Sequence, residues 1–238
     1  MSNGTNYAKD SQMTRRYIML LIGIFFMGTG ISLIIKSGTG TSPMSSLTNV
    51  MTQICPLLTL GMYTFLLNVL FFIGEFIVDF KSFSASKFIQ LIPTFFLSVA
   101  VDFNMFLVRG LHPETYILKL AVLIIGCMFF GLSIAFMVSA DVILMPGEAL
   151  IKIISVKYQK EYGNVKTAVD VSLVVLAVIV SLIFLNTIYG VREGTLIAAF
   201  TIGNFSRFFR GYTNKLVREV RFYNGEDRTL DFILTNVY

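Results

Sequence analysis

The sequence predicts an all-α polytopic membrane protein, with six transmembrane helices arranged as two inverted repeats of three. Hydrophobic residues make up 55% of its 238 residues and charged residues only 14%, whereas a soluble domain carries about 25% charge. The hydrophobic residues form runs close to the ~20 residues that a helix needs to cross a bilayer. The two halves of the sequence also resemble each other at one fixed shift, and this self-similarity predicts the repeats.

The first half contains three predicted spans and one short helix. The spans cover residues 17–35, 57–78 and 88–108. A polar stretch that ends at Pro43 separates the first two spans, and residues 44–54 are expected to form a short helix after it. Because proline lacks a backbone N–H and clashes with the preceding turn, we expect the first helix to end before this stretch.

The second half follows the same plan. Its predicted spans cover residues 117–140, 167–188 and 195–209, and a short polar helix with several lysines lies between the first two. The last span is the weakest, because Asn204 and Arg207 interrupt it. The expected domains are a cytoplasmic segment, a membrane domain with two repeats and a cytoplasmic tail, at residues 1–14, 15–211 (repeats 17–108 and 117–211) and 212–238.

The distribution of Lys and Arg predicts the orientation. These residues are dense before the first span, between the second and third, between the fourth and fifth, and after the sixth, and they are sparse in the alternate loops. Loops with excess Lys and Arg face the cytoplasm. We therefore expect a protein of a bacterial plasma membrane, surrounded by the lipid bilayer, with both termini in the cytoplasm.

Several residues of the first half recur 103 positions later. Gly23, Gly28, Pro43 and Leu47 correspond to Gly126, Gly131, Pro146 and Leu150. Because each half holds an odd number of spans, the second copy enters the membrane from the opposite side. Inverted repeats of this kind recur in secondary transporters, whose sites lie near the bilayer midplane between the repeats.

The repeats are interrupted at matching positions. The first break, residues 37–43, and the second break, residues 141–147, each contain the aligned proline. Paired interruptions are typical of a transport site, but a proline at a helix end is also typical of an ordinary interfacial turn. If the breaks form a site, they should face a shared cavity, whereas a closed, dry interface between the repeats favours a scaffold.

Candidate substrate-binding residues are those that flank the breaks or place polar groups inside the spans. They are Ser42, Pro43, Asn68, Asp102, Pro146, Glu148 and Asp170. An ionisable side chain inside a bilayer is costly and marks function by default, so Asp102 and Asp170 are also candidates for carrying a proton. The alternative for both is structural pairing with Lys or Arg, and for Asn68 a hydrogen bond between helices. Glu75, near the end of the second span, is expected to be a solvated helix end.

The residues around the breaks resemble the YczE/YyaS/YitT family of bacterial membrane proteins. Residues 40–43 with Leu47, and Pro146 with Glu148 and Leu150, resemble that family's Gly-x-Ser-Pro-Trp-x-x-Leu segment, although Met44 replaces the tryptophan. Further similar positions are Gly163, Val165, Lys166, Asp170, Gly194, Thr195 and Gly203, whereas Asn204 stands where proline is usual. The resemblance covers about residues 17–210 and is closest to the YczE-like branch, because the soluble domain of the YitT branch is not recognised. It implies no particular substrate or reaction.

The leading functional hypothesis is a small-molecule transporter or exporter with a site between the repeats, proton-coupled through Asp102 or Asp170. The alternative is a non-transporting scaffold whose partners bind residues 152–166 or the tail. The sequence contains no catalytic triad, metal-ligand cluster or nucleotide motif, so we expect neither an enzyme nor a bound cofactor. Because its cations lie between apolar runs instead of on one face, we expect no nucleic-acid partner. Glycine-rich spans allow a homodimer, which the sequence leaves open.

Overall fold

The computed structural model describes residues 3–80 and 84–221, with side chains for residues 13–80, 84 and 86–213. Within these ranges the chain forms α-helices and 3₁₀ turns and no strand, so the expected all-α class is confirmed. Most of the expected tail, residues 222–238, and the first two residues of the N-terminal segment lie outside the described residues.

Eight α-helices in the described part of the chain form two successive sets of four. The first set comprises α1 (Asn3–Lys36), α2 (Pro43–Ile54), α3 (Leu60–Val78) and α4 (Leu91–Leu107). The second set comprises α5 (Tyr116–Ala140), α6 (Pro146–Lys157), α7 (Tyr162–Leu185) and α8 (Glu193–Arg221). A 3₁₀ helix, Ala85–Gln90, leads into α4.

Five helical segments of the described chain are long and apolar enough to cross a membrane. They are Met13–Lys36, Leu60–Val78, Ser86–Leu107, Tyr116–Ala140 and Tyr162–Leu185. Large apolar side chains remain exposed on these segments, as a lipid-facing surface requires. The chain is therefore a multi-pass membrane protein. Helix α8 is not among the five, so the sixth span stays a prediction.

The two short helices, α2 and α6, begin in the same way. Pro43 is the first residue of α2 and Pro146 the first residue of α6. Proline suits this position because an N–H there would have no partner within the helix and because its φ is already helical. Ser42 caps α2 by accepting a hydrogen bond from Ser45 N at 3.4 Å. The prolines that were expected to interrupt the chain therefore start the next helix.

The helices of the two sets are paired in equivalent ways. Helix α1 packs against α4, and α5 packs against α8. Helix α2 lies against α7 of the other set, and α6 lies against α3. The largest contact joins the two first helices, α1 and α5. Apolar side chains of α1, α4, α5 and α8 form most of the buried core.

Glycines at the aligned positions allow α1 and α5 to approach closely. A Cβ at Gly23 would lie 2.9 Å from Cγ of Met137, and a Cβ at Gly126 would lie 2.9 Å from the side chain of Ile34. Real Cβ atoms do not approach other atoms this closely, so these contacts require glycine. The residue numbers rise on α1 as they fall on α5 along the contact, so the two helices are antiparallel.

The second pair of aligned glycines lies where the fourth helix of each set crosses the first. A Cβ at Gly28 would lie 2.8 Å from the backbone of Ala100 on α4. A Cβ at Gly131 would lie 2.5 Å from Cβ of Phe205 on α8. Small residues at such crossings let helix backbones pack closely inside a membrane. The repeated glycines therefore serve equivalent helix contacts in the two halves.

Candidate functional site

The first break is held by the segment that begins α8. Gly194 N donates a hydrogen bond to Thr39 O at 2.9 Å, and Thr41 N donates to Thr195 Oγ1 at 3.2 Å. Gly40 has a φ of +144°, and a Cβ there would lie 2.6 Å from Thr195 Oγ1. Because a side chain is strained at this φ and has no room, the position requires glycine. The two family-like motifs, separated by about 154 residues, therefore form one packed unit.

The N-terminal ends of α2 and α6 meet inside the molecule. If Gly147 on α6 carried a Cβ, that atom would lie 2.9 Å from Cε of Met44 on α2. Met44 and Gly147 occupy equivalent positions at the 103-residue shift. The far end of α6 reaches the end of α3, where Lys157 Nζ donates to Val78 O at 2.6 Å. The two breaks thus bring the starts of both short helices together.

A cavity of about 70 Å³, the central cavity, lies between these helix starts. Its polar lining residues are Ser42, Ser45, Thr48, Thr64, Asn68, Glu148 and Lys166. Its apolar lining residues include Met27, Ile31, Leu97, Phe130 and Ile134. The volume suits a few water molecules, which polar walls of this kind can hold. Residues next to both breaks therefore line one shared cavity.

Two charged side chains, Glu148 and Lys166, line the central cavity. Lys166 Nζ is 3.4 Å from Oδ2 of Asp170, one turn further along α7. Glu148 is half-buried in the first turn of α6, which is not among the five candidate spans. Burial raises the pKa of the Glu148 carboxyl, and the positive charges of Lys166 and Arg210 act in the opposite direction. The cavity therefore combines a carboxyl and an ammonium group with neutral polar groups.

Asp102 lies away from the central cavity and caps α3. Its Oδ1 accepts a hydrogen bond from Gly61 N at 2.7 Å, and its Oδ2 accepts one from Thr59 Oγ1 at 2.6 Å. A carboxylate at a helix N-terminus pairs an N–H that has no partner within the helix and is favoured by the helix dipole. Asp102 therefore has structural partners, although these are a helix end and a hydroxyl instead of the Lys or Arg that we considered.

Asp102 also lines a second and wider cavity, the vestibule, with a volume of about 770 Å³. Its other polar residues include Lys36, Asn49, Gln53, His112, Glu114 and Lys119. The last turns of α2 line the vestibule, while the first turns of the same helix line the central cavity. Helix α2 therefore lies between the two cavities.

The structure brings some of the seven candidate residues together and separates others. Ser42, Asn68 and Glu148 line the central cavity, Pro43 and Pro146 start the helices whose ends form it, Asp170 pairs with a lining lysine, and Asp102 lies in the vestibule. The Asn68 amide donates to Thr64 O in its own helix at 2.9 Å, instead of bonding between helices. Among the described residues, no group of His, Cys, Asp and Glu side chains could hold a metal ion.

The sequence interpretation missed four polar residues of the central cavity, Ser45, Thr48, Thr64 and Lys166, although for Ser45 and Lys166 the sequence contained a signal. Ser45 aligns with Glu148 at the 103-residue shift, so the repeat contained a signal for it. Lys166 precedes Asp170 by four residues, a spacing that places two side chains on one helix face. Each signal appears only when the residue is compared with a candidate, Ser45 with Glu148 and Lys166 with Asp170. The residue type alone does not suggest either one.

The expectation of a solvated helix end at Glu75 is wrong. Glu75 is only 1% exposed, and its Oε1 lies 2.8 Å from Nζ of Lys87. The 3₁₀ helix before α4 places Lys87 against the end of α3 and covers the carboxylate. Burial of a carboxylate is tolerated when an opposite charge compensates it.

A model of a family of unknown function (DUF6198) matches residues 14–211 of the chain. The chain is also similar to the uncharacterized protein YyaS of Bacillus subtilis (strain 168), with 28% identity over 165 residues that cover 69% of this chain and 80% of YyaS. No solved structure matches. The predicted resemblance is thus confirmed for YyaS, whereas the likeness to YczE and YitT and the placement on the YczE-like branch stay predictions.

Proposed function

Since this chain belongs to the family of unknown function DUF6198, we propose that it is a small-molecule transporter or exporter whose substrate site is the central cavity. The observation that carries the proposal is that residues next to both breaks line this one cavity. Sites of secondary transporters lie between structural repeats, where interrupted helices present their ends. The seven candidate residues and Ser45 and Lys166 are assigned to this site or to the path that leads to it.

The proposal includes the inverted-repeat architecture. Three features support it: the antiparallel contact of α1 with α5, the reciprocal contacts of Gly23 and Gly126, and the exchange of partners in the pairs α2–α7 and α6–α3. A two-fold axis in the membrane plane, passing near Met44 and Gly147, relates the halves in this arrangement. With this axis, the two halves occupy equivalent positions around the cavity.

Helix α8 is the sixth span in this arrangement, because it occupies the position in the second half that α4 occupies in the first. Its low hydropathy has a physical explanation. Arg210 is half-buried and acts on the carboxyl of Glu148, so its charge faces the protein instead of lipid. A charge that faces the helix bundle costs less than one in hydrocarbon.

The two cavities support a transport path with a movable partition. The vestibule opens to the outer side in the proposed orientation, and α2 separates it from the central cavity. A shift of α2 would join the two spaces. In an inverted repeat, α6 would make the equivalent movement on the cytoplasmic side, which is alternating access.

Cysteine accessibility tests the proposal. In a chain with Cys55→Ser and Cys127→Ala, a single Ser45→Cys substitution places a thiol in the central cavity. If the site is exposed alternately, a membrane-impermeant maleimide should label this thiol from either side, in right-side-out and in inverted vesicles. The matched control is Leu57→Cys, which lies in the loop before α3 at 88% exposure and should label only from the outer side.

The outcome decides between the two hypotheses from the sequence. Labelling of the Ser45→Cys thiol from both sides supports alternating access. Labelling from one side only, or from neither, would sink the transport proposal and favour the scaffold, whose contact surfaces would be residues 152–166 and the tail.

A further inference from the structure

We infer that the central cavity takes a small zwitterion, such as a free α-amino acid, because a carboxyl group on α6 and an ammonium group on α7 face the same small space. The inference rests on the proposed transport function and adds the chemical class of the substrate. Glu148 and Lys166 both line the cavity. A zwitterion offers an ammonium group to Glu148 and a carboxylate to Lys166.

The charge balance around the cavity favours a guest without net charge. Two carboxylates, Glu148 and Asp170, stand near two cations, Lys166 and Arg210. In their charged forms these four groups sum to zero. A guest of single charge would add an uncompensated charge in a low-dielectric space, which is costly. A zwitterion keeps the cluster neutral and adds one opposite partner for each lining charge.

Lys166 has contacts that a guest carboxylate would improve. Its distance of 3.4 Å to Asp170 is longer than the 2.7–2.9 Å typical of a charge-assisted hydrogen bond. Its other contact is Met44 Sδ at 4.0 Å, and a thioether is a weak acceptor. An ammonium group has three N–H donors, so Lys166 can bind a further acceptor. A guest carboxylate would be a stronger acceptor than the thioether.

The remaining walls suit the rest of such a molecule. The cavity is lined by hydroxyl and amide groups of Ser42, Ser45 and Asn68 and by the apolar side chains of Met27 and Phe130. The apolar wall would receive an aliphatic side chain. The cavity is small, at about 70 Å³, and the flexible Met44 side chain can move aside to widen it.

The preference of the cavity for a zwitterion is measured by how far each probe protects the Ser45→Cys thiol from maleimide labelling. The probes are L-valine and its two charge-deleted analogues, isobutylamine and isovalerate, with glycine and L-phenylalanine to vary the side chain. We expect at least one zwitterion to slow maleimide labelling and neither analogue to do so at equal concentration. A second measurement, on the chain with Ser45 intact, is the rise in melting temperature caused by the same probes.

Two variants distinguish a loss of zwitterion binding from a general loss of folded protein. Glu148→Gln should weaken protection by the zwitterion roughly ten- to hundredfold, the range of a lost charge-assisted hydrogen bond. The matched control is Glu161→Gln, at an exposed glutamate before α7, which should leave protection unchanged.

The outcomes distinguish the two proposals. If isovalerate or isobutylamine protects as well as the zwitterions, or if the thiol labels from both sides but no zwitterion affects it, the zwitterion inference is overturned and transport stands. If the thiol does not label from both sides, transport itself fails and the inference fails with it.

Discussion

At the scale of single residues, the neighbours of a charged side chain decide its role. Asp102 binds the N-terminal end of α3, Glu75 is buried against Lys87, and Glu148 lines the central cavity. All three are carboxylates in a membrane protein, so residue type gives them the same prior expectation of function. Their partners separate them: two of the carboxylates are held by a helix end or a lysine, and the third lines the central cavity.

Asp102→Ala should destabilise the protein by about 0.5–2 kcal/mol, because α3 would lose the acceptor for Gly61 N at its N-terminus. The free energy of unfolding of the purified protein in detergent checks this expectation. Asp102→Asn should lose less, since an amide oxygen still accepts one hydrogen bond.

The same pair of variants tests the proton-carrying role that the sequence suggested for Asp102. If Asp102→Asn loses no more stability than expected but prevents labelling of the Ser45→Cys thiol from one side, the carboxyl has a role beyond capping, and a purely structural role is ruled out.

At the scale of elements, close helix contacts organise the site. Glycines at aligned positions bring α1 against α5 and the fourth helix of each half against its first. The prolines start the two short helices, whose N-terminal ends meet at Met44 and Gly147. The position of the central cavity therefore depends on where the helices begin and on how closely they pack.

Gly131→Ala should destabilise the protein by about 1–3 kcal/mol, because the new Cβ would overlap Cβ of Phe205 and overpack the α5–α8 contact. Gly203→Ala, on α8 itself, is the matched control. No atom lies within 4 Å of a Cβ at Gly203, so alanine there should be neutral or stabilise the helix by up to about 1 kcal/mol. Denaturation in detergent measures both free energies, and equal effects would contradict the packing described here.

At the scale of the whole molecule, the two halves place equivalent elements around the central cavity. The short helix of each half lies against the third helix of the other, so neither half could form the cavity alone. The proposed inversion also requires that α8 cross the membrane. The proposed site between inverted repeats therefore depends on whether α8 crosses the membrane.

A C-terminal fusion to green fluorescent protein should fluoresce, and one to alkaline phosphatase should be inactive, because six crossings return the chain to the cytoplasm. Fusions after Leu57, in a chain truncated there, should show the opposite pattern and serve as the control. Phosphatase activity at the C-terminus would mean that α8 does not cross, and the inverted repeat would fall with it.

The sequence by itself determined the helical membrane class, the positions of the breaks and the recurrence of residues at a shift of 103 positions. These follow from local causes: hydrocarbon requires long apolar helices, proline ends one helix and starts another, and glycine allows close packing. The boundaries of most spans were accordingly predicted to within a few residues.

Only the tertiary structure decided which polar residues share a cavity. Ser45 and Glu148 lie 103 positions apart and line one cavity, whereas Asp102 and Glu75 are engaged by other helices. Side-chain partners in a helix bundle depend on the relative rotation and register of helices distant in sequence. The hydropathy of a single helix carries no information about that register, so the cavity could be located only from the packed arrangement of the helices.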